Sequence, residues 1–463
     1  MSALIERLNA KLEGELIHAE RVYGVPFALP GDSISYRIFG RGKRRRLIVD
    51  EIERGPAARQ EPFCEHFGVC GGCRGQHLSI DEQFELKVRS YRADMIEHFA
   101  VTPIELMPER IKRYRNRMDF VVEGKAVQRS SSEESSSEGC IVGLRPAGDF
   151  RRFVDIRSCH IQRGRADEIL SRTRRLISAY PGLPFMRREK TGILKYVTIR
   201  EGRISGAVIL TSCEGNADVP VFREFVSELC KMLEGYERES GYRFSLFTGE
   251  VGPLSEVSAV PGSQLLYGDP YFEEALGPLS FQVPPDAFFQ PNPDGFFRLY
   301  QAALEAVRPR WHGGSVIDLY CGSAVLSLVL AETLTGITAL HGADFSASGI
   351  ELGRRNIESY LKSKGAGFTF DLQARDLNRG EMLFPEANLV IVDPPRAGLA
   401  PGVIRWLNEH PAPLLLYISC NPSAQVENLV ALREVYRPVF AAVTDPFPQT
   451  THLESAVLLE RRP

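Results

Sequence analysis

From residue 286 onward the chain alternates short apolar runs with amphipathic stretches. The apolar, β-rich runs fall at Ser315–Cys321, Ile337–Phe345, Phe368–Asp376, Ala387–Asp393, Pro413–Cys420, Val439–Phe447 and Ser455–Arg461. Helical stretches such as Ser346–Lys364 and Ser423–Val435 separate the first five. Near-continuous apolar strands alternating with helices predict a parallel, doubly wound α/β sheet, because a strand covered on both faces needs no polar side. The last two runs have no helix between them and should form an antiparallel hairpin. Upstream, residues 10–55 are short alternating stretches broken by Pro30-Gly31-Asp32 and Gly40-Arg41-Gly42, the pattern of a small β unit. Residues 59–80 form a Cys-rich loop, and residues 81–285 mix strands with helices as an α+β region. A Ser/Glu tract at 130–138 has no apolar residue to bury, which predicts a disordered insertion.

Composition narrows the class. A length of 463 residues is enough for about two to four domains with proper cores. No apolar run approaches the roughly 18 residues of a membrane span, so a spanning protein is excluded. The first 30 residues are charged throughout, which argues against a secretory signal. Nine cysteines, an odd and unevenly spread number, favour a reducing cytoplasm and ligand or catalytic duties over a disulfide framework.

The net charge of -3 conceals two opposed parts. Residues 1–203 carry 37 Lys+Arg against 28 Asp+Glu, net +9; residues 204–463 carry 19 against 31, net -12. Basic runs occur at Arg41–Arg46, Arg110–Arg117, Arg172–Arg175 and Arg187-Arg188. Several such runs in one half, with Tyr114 interleaved, point to a polyanion-binding surface.

In a doubly wound sheet ligands bind at the carboxyl ends of the strands. The first strand ends in Asp318-Leu319-Tyr320-Cys321-Gly322-Ser323-Ala324, a tight turn whose small residues let a ligand approach the backbone. The second ends at Asp344, suited to the two hydroxyls of a ribose, and the third at Asp376, placed to accept from an adenine amino group. No phosphate-binding loop lies nearby, so an adenosine-containing cofactor such as S-adenosylmethionine fits better than ATP. The fourth strand ends Asp393-Pro394-Pro395-Arg396, two prolines holding the carboxylate at the sheet edge. The fifth ends Ser419-Cys420-Asn421-Pro422; an exposed cysteine beside a helix start should favour the thiolate. The loop Asp445–Leu453 then returns to the sheet at Glu454. A thiolate, a carboxylate base and a methyl sulfonium together suit methylation of carbon 5 of uracil. The thiolate adds to carbon 6, carbon 5 becomes nucleophilic and takes the methyl group, and the base removes its proton. A base stacked in helical RNA cannot reach Cys420, so the target is flipped out or lies in a loop.

The motifs DPPR at 393–396, SCNP at 419–422, FPQTTHLE at 447–454 and FFQPN at 288–292 resemble those of the RNA 5-methyluridine methyltransferase family. The resemblance implies a Rossmann-like class I methyltransferase domain at 286–463, with Cys420 as nucleophile and Glu454 as base. It implies that Gln290, Tyr320, Asp344 and Asp393 line the S-adenosylmethionine pocket, with Asp376 near the adenine. One departure stands out. The family's first-strand loop commonly reads CGxGxF, whereas here Ala324 replaces the second glycine and Val325 stands where an Asn is common. Ala324 is tolerable if its backbone has φ < 0 and harmful otherwise.

Cys64, Cys70 and Cys73, spaced C-x5-C-x2-C, and the distant Cys159 could hold zinc or an iron–sulfur cluster. The single CxxC departs from the paired knuckles of a zinc ribbon, and the resemblance implies a [4Fe-4S] cluster. Cys140, Cys213, Cys230 and Cys321 are read as structural, and His66, His77 and His160 as bystanders. The resemblance also implies a shortened TRAM or OB-like β unit at 1–58, a cluster loop at 59–84 and a central RNA-binding domain at 85–285. The β unit and Tyr114-Arg115-Asn116-Arg117 are expected to contact RNA phosphates. The expected partner is RNA, ribosomal RNA favoured over transfer RNA because cluster-bearing relatives act mainly there, with no membrane and as a cytoplasmic monomer. Two rivals remain at this point: a non-catalytic RNA-binding factor with a degenerate cofactor loop, and an amino-group methyltransferase, against which Arg396 and Cys420 argue.

Overall fold

The computed structural model describes residues 1–41, 45–124, 139–149, 151–216, 218–258, 260–365, 367–379 and 384–463. The insertion expected near 130–138, and part of the basic run at 41–46, lie outside the described residues. The chain forms two compact units: residues 1–63, 73–111 and 295–463 make one, and residues 64–72 and 112–294 the other.

In the first unit, residues 1–53 form a three-stranded sheet (Ser2–Leu4, Ser33–Phe39, Arg46–Glu53) and a hairpin (Glu13–His18 with Arg21–Pro26). Ile5, Leu16, Val25 and Ile34 are buried in their common core. This is the small β unit the alternating pattern predicts.

Helix α1 (Ile80–Phe99) begins in a capping box: the Ser79 side chain accepts from the Glu82 backbone N–H, and the Glu82 carboxylate accepts from the Ser79 backbone N–H. Ala100, in the left-handed conformation, ends it. Phe84, Val88 and Met95 bury it in the core of the unit's large sheet. That sheet has eight strands: β1 (Ile104–Leu106), β2 (Gly314–Leu319), β3 (Ile337–Asp344), β4 (Thr369–Ala374), β5 (Leu389–Val392), β6 (Leu414–Ser419), β7 (Tyr436–Thr444) and β8 (Glu454–Arg461). Their order is β4-β3-β2-β5-β6-β8-β7-β1. All neighbours run parallel except β8, which is antiparallel to both β6 and β7. Helices α2 (Val325–Thr333), α3 (Ala347–Lys364), α4 (Pro401–Glu409) and α5 (Pro422–Leu432) join successive strands.

The seven predicted strands and the final antiparallel hairpin are therefore present. The central strands β2, β5 and β6 are mostly buried because helices cover both faces, whereas on the edge strand β4 only Leu372 is buried. β2 to β6 end a residue or two earlier than the apolar runs, so the chemically distinctive residues fall at or just beyond their carboxyl ends. The chain direction across the sheet reverses between β2 and β5, and the crevice of such a fold opens at that point.

The second unit is built on a seven-stranded, mostly antiparallel sheet packed by helices Gly164–Ser178 and Pro220–Ser240, the α+β region expected. Its extent corrects the boundaries drawn from the sequence. Residues 85–111 belong with the eight-stranded sheet, because α1 buries its apolar face there and β1 pairs with β7. Residues 286–294 belong with the second unit.

The basic runs are also less exposed than their sequence suggests. Arg113 donates to Asp167 and to the carbonyls of Cys159 and Gln162. Arg174 pairs with Asp155, and Arg187 with Glu123 and Glu256. Tyr114 and Asn116 are buried, 2% and 1% exposed, so the expected phosphate contact by all of Tyr114–Arg117 is corrected. Alternation turns those two inward and leaves Arg115 and Arg117 half-exposed. Arg110, Lys112, Arg175 and Arg188 are exposed.

Candidate active site

Strand register builds the centre of the site. Across the antiparallel pair β6–β8, Ser419 pairs with Ser455. The next residues outward are Cys420 on one strand and Glu454 on the other, so continuing the register sets them opposite each other. Asp393, one residue beyond β5, lies on the neighbouring strand end. Asn421 and Pro422 turn the chain into α5, and Asn421 Nδ2 donates to the Arg396 carbonyl at 2.8 Å. That bond ties the DPPR turn to the cysteine turn.

Electrostatics sets the protonation of this group. Burial is the largest influence on Cys420, and the negative charges of Glu454 and Asp393 add to it, pushing the thiol up to about 11, against a smaller downward pull from Arg396. The expectation that the helix start would favour the thiolate is therefore corrected: two carboxylates and partial burial outweigh it. Glu454, 3% exposed, is held well above the usual carboxylate range by burial and then by the charge of Asp393, with Arg396 opposing. Asp393 is raised to about 7 by burial and then by Asp318. Asp318, 1% exposed, is likewise raised to about 7 by burial, while its bond from Ser327 Oγ opposes the shift. Ligand-free, the site thus keeps Cys420 as a thiol near neutral pH, and the Glu454 carboxyl holds its proton to higher pH than an ordinary carboxylate does.

The loop after β2 forms a cradle. Tyr320, Gly322 and Ala324 all adopt left-handed backbone conformations, with φ of 66°, 52° and 59°. Gly322 has open space where a side chain would stand, with nothing within 4 Å of that position. Asp344 ends β3 and accepts from Gly322 N (3.0 Å) and Ser346 N (2.8 Å), which orients its carboxylate toward the loop. Tyr320 Oη accepts from Ala400 N at 3.3 Å. Asp376 lies past the end of β4, exposed, accepting from Asn378 N and Nδ2 at 2.9 Å each. Ala324 has the positive φ that makes its methyl group unfavourable, and it sits fully buried at the start of α2. Val325 opens that helix.

The structure thus brings together Cys420, Glu454 and Asp393, and places Tyr320, Asp344 and Asp376 at the ends of β2, β3 and β4. Gln290 belongs to the second unit, where its carbonyl accepts from Asn116 Nδ2 at 3.2 Å. Reading the sequence gave no role to Asp318 or to the charge of Arg396, although both stand in the motifs it singled out.

Within the second unit, Cys64, Cys70 and Cys159 influence one another electrostatically. Gly72 N–H donates to Cys70 Sγ at 3.4 Å. Backbone N–H groups of His66 and Phe67 serve Cys64, and those of Ile161 and Gln162 serve Cys159. These N–H groups favour the thiolates, but burial outweighs them and raises all three thiols, Cys159 to about 11. Among the described residues, no group of three or more His, Cys, Asp or Glu has the geometry to hold a metal ion. Cys73 opens the next segment of the first unit.

Comparison with known proteins settles the family. A relative from Leptospira interrogans, described as an uncharacterized RNA methyltransferase, is 32% identical over 464 residues, covering 99% of this chain and 96% of its own. The tRNA (Uracil-5-)-methyltransferase family model matches residues 275–462. The chain belongs to the RNA uracil-5-methyltransferase family. A second member of this methyltransferase family, the tRNA (uracil(54)-C(5))-methyltransferase of Pyrococcus furiosus, is 26% identical over 468 residues, covering 100% of both chains. The fold matches that of the Pyrococcus abyssi tRNA (uracil-54, C5)-methyltransferase, with a TM-score of 0.72, 24% identity and coverage of 99% and 100%. The RNA methyltransferase reading thereby replaces both the non-catalytic and the amino-group rivals. Among the described residues, no helix is long and apolar enough to cross a membrane.

Proposed function

We propose that the protein methylates carbon 5 of a uridine in RNA with S-adenosylmethionine, through a covalent bond from Cys420 to carbon 6. The observation that carries this reading is the register that sets Cys420 opposite Glu454 beside Asp393. The open position at Gly322 and the oriented Asp344 suit S-adenosylmethionine, with Tyr320, Asp376 and Asp393 as its further contacts. When bound, it supplies an electrophilic methyl group.

The protein's own residues do the rest. Cys420 loses its proton to solvent water, and its sulfur bonds carbon 6. The displaced π electrons make carbon 5 nucleophilic, and carbon 5 bonds the methyl group as the methyl–sulfur bond breaks and a neutral thioether leaves. Glu454, as carboxylate, accepts the proton from carbon 5; the carbon–sulfur bond breaks and the thiolate returns. Arg396 favours the ionised forms of both groups.

Ribosomal RNA is the first substrate reading, supported by the cysteine set. Transfer RNA is the second, favoured by full-length relatives named for uracil 54. We read Cys64, Cys70, Cys73 and Cys159 as holding a [4Fe-4S] cluster that would anchor their loop. The β unit at 1–58 and the central unit are read as RNA-contacting, in a cytoplasmic monomer.

One assay tests the main reading. Unmodified ribosomal and transfer RNA transcripts are incubated with protein and S-adenosylmethionine, digested, and analysed by mass spectrometry. 5-Methyluridine in one transcript and not the other assigns the substrate. No product in either overturns the reading.

A further inference from the structure

Helix α1 buries a row of polar side chains as well as an apolar face. Gln83, Lys87 and Tyr91 are spaced four residues apart, on one side of the helix, and are 0%, 3% and 3% exposed. Burying an amide, an ammonium and a phenol is costly unless each finds partners. Each finds them in the segment around Glu454.

Lys87 pairs with Asp445, at the start of the loop that leads to Glu454, and its Nζ lies 3.5 Å from the His452 carbonyl near the loop's end. Gln83 holds the middle: its Nε2 donates to Gln449 Oε1 at 3.1 Å, and its Oε1 accepts from Gln449 N at 3.0 Å. Gln449 has a φ of 72°, so this clamp holds a residue outside its ordinary backbone range. Gln449 O also accepts from Arg74 N and Gly75 N. Tyr91 Oη donates to Gln425 Oε1 at 3.0 Å, which also accepts from Ser455 Oγ at 2.8 Å. Gln425 Nε2 donates to Tyr417 O at 2.9 Å. One helix side thus grips the loop before Glu454 directly and, through Gln425, the residue after it and the strand that ends one residue before Cys420.

We infer that Gln83, Lys87 and Tyr91 are positioning residues that fix Glu454 over the adduct formed on Cys420. The inference rests on the proposed roles of Cys420 and Glu454. A displaced Glu454 still permits addition of sulfur and transfer of the methyl group, but proton removal from carbon 5 slows. The methylated nucleotide then stays bound to Cys420, because the carbon–sulfur bond breaks only as that proton leaves.

The test uses the full chain with a transcript it methylates. Gln83→Met and Tyr91→Phe remove polar atoms at nearly constant volume, and Lys87→Met is paired with Asp445→Asn so that no lone charge is buried. The expected result is a fall in kcat of about ten- to a hundredfold, with KM for RNA within about twofold. The decisive readout is a denaturation-resistant protein–RNA adduct carrying the added methyl group, scarce in the wild type and abundant in the variants. Folding is checked by cooperative thermal unfolding; Tyr91→Phe, which loses one oxygen atom, decides if the others fail to fold. Folded variants with wild-type kcat, or with raised KM and no adduct, overturn the inference. Cys420→Ala and Glu454→Gln run alongside. Methylation by Cys420→Ala overturns the underlying reading; an inactive Cys420→Ala and an adduct-trapping Glu454→Gln keep that reading intact, so the outcome then bears on the three positioning residues alone.

Discussion

Ser419 and Ser455 pair across two antiparallel strands, and the residues one step beyond them, Cys420 and Glu454, are the nucleophile and base of the proposed reaction. Backbone hydrogen bonds therefore set the register that aligns the two groups, and the grip on the loop before Glu454 holds its carboxylate in that alignment. A slip of one residue would turn every side chain of one strand to the opposite face.

The protonation of this pair is open to direct measurement. In the ligand-free protein the thiol of Cys420 is pushed up to about 11 by burial and by the carboxylates of Glu454 and Asp393. Alkylation of Cys420 by a small reagent, followed by peptide mass spectrometry, should be slow at pH 7 and accelerate steadily toward pH 10. Glu454→Gln removes one of the opposing charges, lowers the thiol's value and speeds labelling at a given pH. Equal rates for the two proteins would contradict the assigned electrostatics.

Stability should also respond to pH through Asp318. Its folded value is raised to about 7 from 3.8. Between those values the folded state holds a proton that the unfolded state has released. Stability is therefore full below about pH 4 as far as this group is concerned, falls as pH rises toward 7, and stays lower above it. The loss is on the order of 2–4 kcal/mol. Asp318→Asn, which keeps a partner for Ser327, should flatten the fall in urea midpoint between pH 5 and 8; an unchanged profile would count against it.

Ala324 offers a simpler test. Its φ of 59° places a methyl group where glycine is favoured. Ala324→Gly should relieve strain of about 1–2 kcal/mol, offset in part by the greater chain entropy of glycine in the unfolded state. A higher Tm is expected, together with tighter S-adenosylmethionine binding by calorimetry if the loop relaxes around its ligand.

The buried pair Lys87–Asp445 should behave asymmetrically. Lys87→Met alone leaves a carboxylate buried without its partner and should cost about 3–5 kcal/mol. Adding Asp445→Asn should restore most of that, because the amide oxygen it introduces can still accept from Phe447 N, as the Asp445 carboxylate does at 3.1 Å. Denaturant titrations of the single and double variants measure the difference directly.

For the cysteine set, protein purified without oxygen should contain iron and acid-labile sulfide in equal amounts. Cys64→Ser and Cys159→Ser should each remove both. Zinc without iron would reverse the assignment.

Much of the catalytic unit was legible because buried parallel strands are continuous apolar runs, and their ends carry Asp344, Asp393 and Cys420 in plain view. The three-residue β1 was not, since Ile104 is 50% exposed and so short an edge strand leaves no periodic signal. The role of α1 stayed hidden because Gln83 and Lys87 look like solvated helix positions until their partners, more than 350 residues later, are known. Arg113, Arg174 and Arg187 read as a charged surface, yet the fold uses them to bind internal carboxylates and carbonyls. The thiol of Cys420 was misjudged for a different reason: its neighbours were identified, but their like charges were not weighed against the helix start.

The pairing of β1 with β7 joins residues 338 apart in the chain, as in the bond from Thr444 to the Leu106 carbonyl. During synthesis α1 and β1 leave the ribosome long before β7 and β8 exist, while residues 112–294 can already close their own sheet. Contacts of such range form slowly. The polar row on α1 and the short β1 edge thus spend the interval without their native partners, and the site around Glu454 is completed only after the last strand has been made.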